Sequence, residues 1–315
     1  RRRAMETSSS GTSPLQSLSD CLADIVERVG RSVVAVQGRH RMASSGVIWA
    51  SGVVVTAAHT VKRDEGIGVT LADGRTVAAA LAGRDSGTDI AVLKLDAADL
   101  APVERGAAAS LKAGHFVLAV ARADGPNVSA DCGVIGSVGG PWRTWRGGQL
   151  DAYVRLDGGL SPGFSGAALA DARGQVAGMC TSGLARGPGI VVPAATIERV
   201  AGELLAKGRV SRGYLGVGTQ PVHLSDAWVG KLGLSSSRGL LVVSLEPGGP
   251  AERAGVLIGD VLVGLEGRPI RDMDDVQAAL GSEQIGQPLK AALIRGGEPK
   301  ECAIVVGERP QRDRC

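Results

Sequence analysis

One stretch of this 315-residue chain has the residue types of an activated nucleophile: Ser161-Pro162-Gly163-Phe164-Ser165-Gly166-Ala167-Ala168. A serine flanked by glycines and preceded by Pro-Gly can sit on a tight turn, its hydroxyl exposed and nearby N–H groups converging on one point. Such a turn suits attack on a carbonyl carbon, the N–H groups receiving the developing oxyanion. Gly-Ser-Gly turns also occur in loops without chemistry, so the serine needs a base and a carboxylate to orient that base. The chain has four histidines, His40, His59, His115 and His223. His59 follows the β-branched run Val53-Val54-Val55-Thr56 and then Ala57-Ala58, which puts it at a strand end, entering a turn. His40 lies between Arg39 and Arg41 and reads as a solvated loop residue; His115 heads an apolar strand and reads as structural. Asp89, in Thr88-Asp89-Ile90-Ala91-Val92-Leu93, introduces an apolar strand, where a carboxylate is costly to bury unless it is paired. Asp85 and Asp96 flank turns and read as solvated. The chain order His59, Asp89, Ser165 then provides a general base, its orienter and a nucleophile.

The elements that must position these residues are short strands. The chain is 44% hydrophobic and holds 47 glycines, many of them between Val/Ile/Leu runs such as 33–36, 46–49, 52–55, 90–95, 116–120, 132–135 and 176–179. This rhythm predicts a β-barrel or sandwich, not a parallel α/β sheet. Up to residue 208 helical spacing is confined to Leu15 through Val29 and to Ile197 through Leu205, the latter closed by Lys207-Gly208. Residues 1–14 read as a disordered arm, 15–207 as the domain carrying the three residues, 208–213 as a linker and 214–310 as a second domain with its own strands. Short helices are expected there at 250–254 and 274–280.

Composition narrows the function classes. Aromatic residues make up 3% and the net charge is +3, so neither stacking platforms nor a basic face for nucleic acid is expected. No apolar run reaches membrane-spanning length. Five scattered cysteines without C-x-x-C spacing read as mostly buried small hydrophobes rather than a zinc site or disulfide framework. The segment Arg1 to Ser13 has basic residues but no apolar core of a signal peptide.

Three segments together, Val55-Thr56-Ala57-Ala58-His59, Thr88-Asp89-Ile90-Ala91-Val92-Leu93 and Pro162-Gly163-Phe164-Ser165-Gly166, resemble the motifs of the chymotrypsin-like fold in its bacterial HtrA/Deg branch. The likeness extends over residues 22 to 307, through Leu71-Ala72-Asp73-Gly74-Arg75, Cys132-Gly133-Val134-Ile135-Gly136-Ser137-Val138 and Asp157-Gly158-Gly159-Leu160-Ser161. It implies a mainly β protein: a chymotrypsin-like double-barrel protease domain followed by an α+β PDZ domain. His59, Asp89 and Ser165 would be its triad, and the N–H groups of Gly163 and Ser165 its oxyanion hole, with no metal, nucleotide or other cofactor. Phe164 and Ala167 depart from the family's Gly-Asn-Ser-Gly-Gly, which keeps open a second class of function, a catalytically impaired peptide-binding or chaperone module. The nucleophile elbow of α/β-hydrolases is disfavoured, since that fold needs a histidine after the serine, where this chain has only His223 in the second domain, and a βαβ order before it.

Gly159 stands where trypsin-like pockets carry an acid, so Gly159, Leu160, Ile190 and Val191 are expected to line a pocket for small or medium apolar residues. In the second domain Arg212-Gly213-Tyr214-Leu215-Gly216-Val217 resembles the carboxylate-binding loop of PDZ domains. Tyr214, Leu215, Gly216 and Val217 would hold a C-terminal carboxylate, and Val276 and Leu280 would line the peptide groove; helix core positions are an equal reading of those two. The resemblance implies unfolded proteins or peptides as substrates, C-terminal peptides as PDZ ligands, a homotrimer and a periplasmic setting, with the cytoplasm as the alternative. No Phe, Tyr or Trp precedes Trp49, so the aromatic trimer contact of relatives does not carry over.

Overall fold

The computed structural model describes residues 13–309 except 40, 41, 98 and 124. His40 and residues 1–12 of the expected arm lie outside the described residues. The chain divides into two compact units that meet between Val210 and Ser211.

The first unit begins with α1 (Pro14–Gly30), whose start is set by Ser13, its Oγ accepting from the Leu15 N–H at 3.3 Å, with proline at the first helical position. Six strands follow: β1 (Val33–Gln37), β2 (Ser44–Ala50), β3 (Val53–Ala57), β4 (Ile67–Thr70), β5 (Thr76–Asp85) and β6 (Ile90–Leu95). They close into an antiparallel barrel in the order β1-β2-β3-β6-β5-β4. Because side chains alternate along a strand, each strand serves two cores. On β3 and β6, Val54, Ala91 and Leu93 fill this barrel, while Val55, Ile90 and Val92 join a larger core shared with the second barrel.

The second barrel is built from β7 (Phe116–Ala121), β8 (Ser129–Gly139), β11 (Tyr153–Leu156), β12 (Ala168–Asp171), β13 (Val176–Thr181) and β14 (Ile190–Pro193), with a small hairpin of β9 (Trp142–Arg143) and β10 (Gln149–Leu150) between β8 and β11. Its order is β11-β14-β13-β12-β7-β8. Helix α2 (Ala194–Lys207) then packs Ile197, Val200 and Leu204 into the shared core and ends at Gly208, whose φ of 72° only glycine adopts at little cost.

The second unit contains β15 (Gly213–Tyr214), β16 (Val217–His223), α3 (Asp226–Leu232), β17 (Arg238–Leu245), α4 (Pro250–Arg253), β18 (Val261–Leu265), β19 (Arg268–Pro269), α5 (Met273–Ala278), β20 (Pro288–Arg295), β21 (Glu298–Val305) and β22 (Gly307–Glu308). Its main sheet runs β16-β17-β18-β20-β21, which leaves β16 on an edge. Buried Asp260 accepts from Arg295 Nε at 2.8 Å and Nη2 at 2.7 Å and from the Leu257 N–H at 2.8 Å. Those bonds, Arg295 first, hold its carboxyl below the usual range.

Two expectations need correction. Asp85 is not solvated: it is 4% exposed, because its carboxylate accepts from the Gly87 and Thr88 N–H groups and the Thr88 hydroxyl. Of the four described cysteines, Cys21 and Cys132 are exposed and only Cys180 is buried, where burial pushes its thiol up to about 12. None of the residues of α3 is buried.

Candidate active site

The loop after β3 makes one 3₁₀ turn over Ala58–Thr60, and His59 sits in it. Asp89, at the start of β6, reaches across: its Oδ1 accepts from the His59 backbone N–H at 2.8 Å and its Oδ2 lies 2.7 Å from His59 Nδ1. The Thr181 hydroxyl also donates to Oδ2. The carboxylate is fully buried, yet each oxygen has a donor, which meets the cost of its burial. With Nδ1 facing a carboxylate, the ring proton belongs on Nδ1, leaving Nε2 as the acceptor. Asp89 adopts φ 59°, an uncommon conformation for a residue with a side chain. It is enforced by the Asp85 turn and by the Ala58 N–H bonded to the Asp89 carbonyl at 3.0 Å. The β9–β10 hairpin clasps the same turn, Thr144 Oγ1 donating to the Gly87 carbonyl at 2.7 Å.

The Ser165 turn belongs to the second barrel. The Phe164 N–H bonds to the Ser161 carbonyl at 3.1 Å and the Ala167 N–H to the Phe164 carbonyl at 3.0 Å. Gly163 has φ 85°, and a Cβ there would stand 2.4 Å from the Ala123 Cβ. Its carbonyl is held by the N–H of Ser45 at 3.1 Å and the Ser45 hydroxyl at 3.0 Å. The N–H groups of Gly163 and Ser165 find no acceptor among the described residues. Phe164 is 6% exposed and packs in the core of the second barrel with Leu169 and Val191, so it anchors the turn. Ala167 is fully buried in the same core.

The end of β13 gathers these pieces. Thr181 bonds to Asp89; the Ser182 hydroxyl and N–H lie 3.0 and 3.3 Å from Ser165 Oγ. Gly183 covers the pair, since a Cβ there would stand 2.5 Å from Asp89 Oδ2 and 2.6 Å from His59 Nδ1. Three consecutive residues thus each touch a different part of one site. Among the described residues no hydrogen bond joins Ser165 to His59; the hydroxyl rests on Ser182 instead.

The four expected pocket residues do not share one cavity. Gly159 and Leu160 line a cleft of about 390 Å³ with Phe116, Asp131, Cys132 and Asp157. Ile190 lies in the core between the barrels and Val191 inside the second barrel, 1% and 0% exposed, because the strand that carries them is paired on both sides. Leu160 fills the space in front of the neighbouring Gly189, whose absent Cβ would stand 2.9 Å from Leu160 Cγ.

In the second unit Leu215 is buried and Gly216 has φ 75°. The N–H groups of Leu215 and Gly216 have no acceptor among the described residues. Tyr214 donates its hydroxyl to Glu246, and Val217 opens the edge strand. Val276 is 1% exposed and belongs to the unit's core; Leu280 is half-buried against that core.

Thr181, Ser182, Gly183 and Ser45 are not among the residues that the sequence singles out, and Asp85 is one that it marks as solvated. The one available signal was the polar trio Thr181-Ser182-Gly183 directly after the apolar run 176–180.

Residues 44–179 match the family described as a trypsin-like peptidase domain, a span containing His59, Asp89 and Ser165. Residues 213–306 match the PDZ domain. A DegP-like periplasmic serine endoprotease from Halomonas elongata is 32% identical over 283 residues, covering 88% of this chain and 58% of the relative. A Synechocystis protein named as the serine protease HhoB is 32% identical over 287 residues, covering 87% of this chain and 68% of its own length. The chain therefore spans about three-fifths to two-thirds of these relatives. Among solved structures, the HtrA-type protease AlgW with a decapeptide superposes with a TM-score of 0.76 at 27% identity, covering 92% of this chain and 99% of that one. The serine endoprotease from Yersinia pestis gives 0.74 at 27% identity, covering 91% and 98%.

Proposed function

The chain belongs to the HtrA/Deg family of trypsin-like serine proteases, and we propose that it is a serine endopeptidase that cleaves unfolded or misfolded proteins. The observation that carries this reading is the convergence of Thr181, Ser182 and Gly183 on Asp89, Ser165 and His59. In this reading the Ser165 hydroxyl leaves Ser182 as substrate enters and passes its proton to His59 Nε2 while Oγ attacks the peptide carbonyl. Asp89 keeps the imidazole in its tautomer and stabilises the imidazolium. The free N–H groups of Gly163 and Ser165 receive the oxyanion, and His59 returns the proton to the leaving amine before water releases the acyl group. Leu160, seated against Gly189, supports a shallow apolar site for the residue before the cut.

The unpaired N–H groups of Leu215 and Gly216, beside an open sheet edge, support capture of a C-terminal carboxylate by the PDZ domain, with regulation or targeting as its role. Relatives named as periplasmic support the same compartment for this protein. A homotrimer is the assembly expected of the family, and light scattering measures it.

The rival reading, a peptide-binding module whose barrels are dormant, draws on the Ser165–Ser182 hydrogen bond. Fluorophosphonate labelling and casein cleavage separate the two. Wild type should label and cut, and Ser165→Ala should do neither. A wild type that resists both, even with C-terminal peptides added, rejects the protease.

A further inference from the structure

Strand β16 lies on the edge of its sheet, and its pairing with β17 fixes which backbone groups face outward. The Glu246 N–H bonds to the Gly216 carbonyl at 2.9 Å, and the Leu224 N–H bonds to the Ser237 carbonyl at 2.7 Å. Between these two points the inward-bonded positions alternate through Gly218, Gln220 and Val222, a bulge after Gly218 leaving Val243 as the extra residue of β17. Positions 217, 219, 221 and 223 therefore turn their N–H and C=O to the open edge. Position 221 is proline, which has no N–H to offer.

We propose that Pro221 ends strand addition on this edge, so that the groove reads no more than the last four residues of a C-terminal peptide. The proposal rests on the carboxylate-capture reading given above. With the carboxylate on the N–H groups of Leu215 and Gly216, the last residue of an added antiparallel strand lies beside Val217 and the third from the end beside Thr219. The fifth from the end then meets Pro221. Its carbonyl finds no donor there, and the ring Cδ occupies the place where an amide hydrogen would have drawn it in, which holds its own amide away from the Pro221 carbonyl as well. One step earlier the two sides of the groove already approach, Thr219 Oγ1 lying 3.7 Å from Met273 Sδ on α5. The missing donor has a second effect of the same origin: it blunts an exposed edge against pairing with other chains.

The test uses the full chain and free-carboxylate peptides of four and eight residues that share their last four, drawn from a pool ending in Val, Leu, Ile, Phe or Ala, with C-terminal amides as controls. Calorimetry should give four- and eight-residue affinities within about twofold of each other. In Pro221→Thr, which restores the donor, the longer peptide should bind roughly 2- to 10-fold tighter than the shorter, the worth of one net hydrogen bond. Hydrogen exchange on the wild-type complex gives an independent readout: peptide amides beyond the fourth from the end should stay unprotected. A wild type that gains as much from length as the variant, or that protects those amides, overturns the proposal. If no free-carboxylate peptide binds, or amides bind equally well, the carboxylate-capture reading fails first and takes this one with it.

Discussion

In the first barrel the Asp89 carboxylate accepts from the His59 backbone, the His59 ring and Thr181, and the turn beneath it is tied by Asp85. In the second barrel the Gly163 carbonyl is tied to Ser45, but the N–H groups of Gly163 and Ser165 are left open and the Ser165 hydroxyl has only a neighbouring serine. The difference follows from what each half would meet. In the proposed roles a base and its orienter need one geometry throughout, so the Asp89 oxygens and His59 Nδ1 can be bonded internally while Nε2 is left for the reaction. A nucleophile and an oxyanion hole gain their partners from a substrate, so internal bonds would compete with it. Pre-organisation on the second side comes instead from packing, through Phe164, and from the backbone, through Gly163.

Breaking the saturated side should have the largest effect. Asp89→Asn keeps the shape but favours the wrong imidazole tautomer, and peptidase turnover should fall by about 10⁴; a loss under tenfold would show that the bonds to Asp89 serve folding alone. Next, Gly163→Ala puts a methyl where the Ala123 Cβ already stands and should cost roughly 10²–10³ in turnover, the scale of one oxyanion donor. Its KM should change little. Asp85→Ala removes the acceptor beneath the Asp89 turn and leaves the Gly87 and Thr88 N–H groups unpaired. Thermal denaturation should report a loss of about 1–3 kcal/mol. An unchanged melting point would mean that the β9–β10 hairpin alone sets the turn. The smallest effect tests the open side. Ser182→Ala frees the Ser165 hydroxyl, and fluorophosphonate labelling should speed up by roughly 2- to 10-fold, the worth of the bond released. Slower labelling in Ser182→Ala, restored by Ser182→Thr, would instead make Ser182 a residue that positions the nucleophile for attack.

His59, Asp89 and Ser165 were legible because each stands where a strand meets a turn, and strand ends are marked by composition alone. Gly163 was legible because a backbone that needs positive φ needs glycine. Asp85 was misread because an aspartate that caps its own turn has the same local sequence as a solvated one; the difference lies in the packing of the hairpin over it. Ile190 and Val191 were misplaced for a related reason. An apolar strand near a site says nothing about whether its faces look into a cleft or into two cores. Ser182 is marked in the sequence only as part of the polar trio after 176–180; nothing local names its partner, which lies on a different turn and meets it only when the barrel closes.

The bonds from Ser45 to Gly163, and from Thr181 to Asp89, each join a residue of the first hundred to one made much later. A ribosome releases His59 and Asp89 well before Ser165, and the barrel that presents the serine closes only when β14 has emerged. Whatever this seam can do to a polypeptide is therefore deferred until both halves exist. Under the proposed chemistry, the half-made chain carries no complete site.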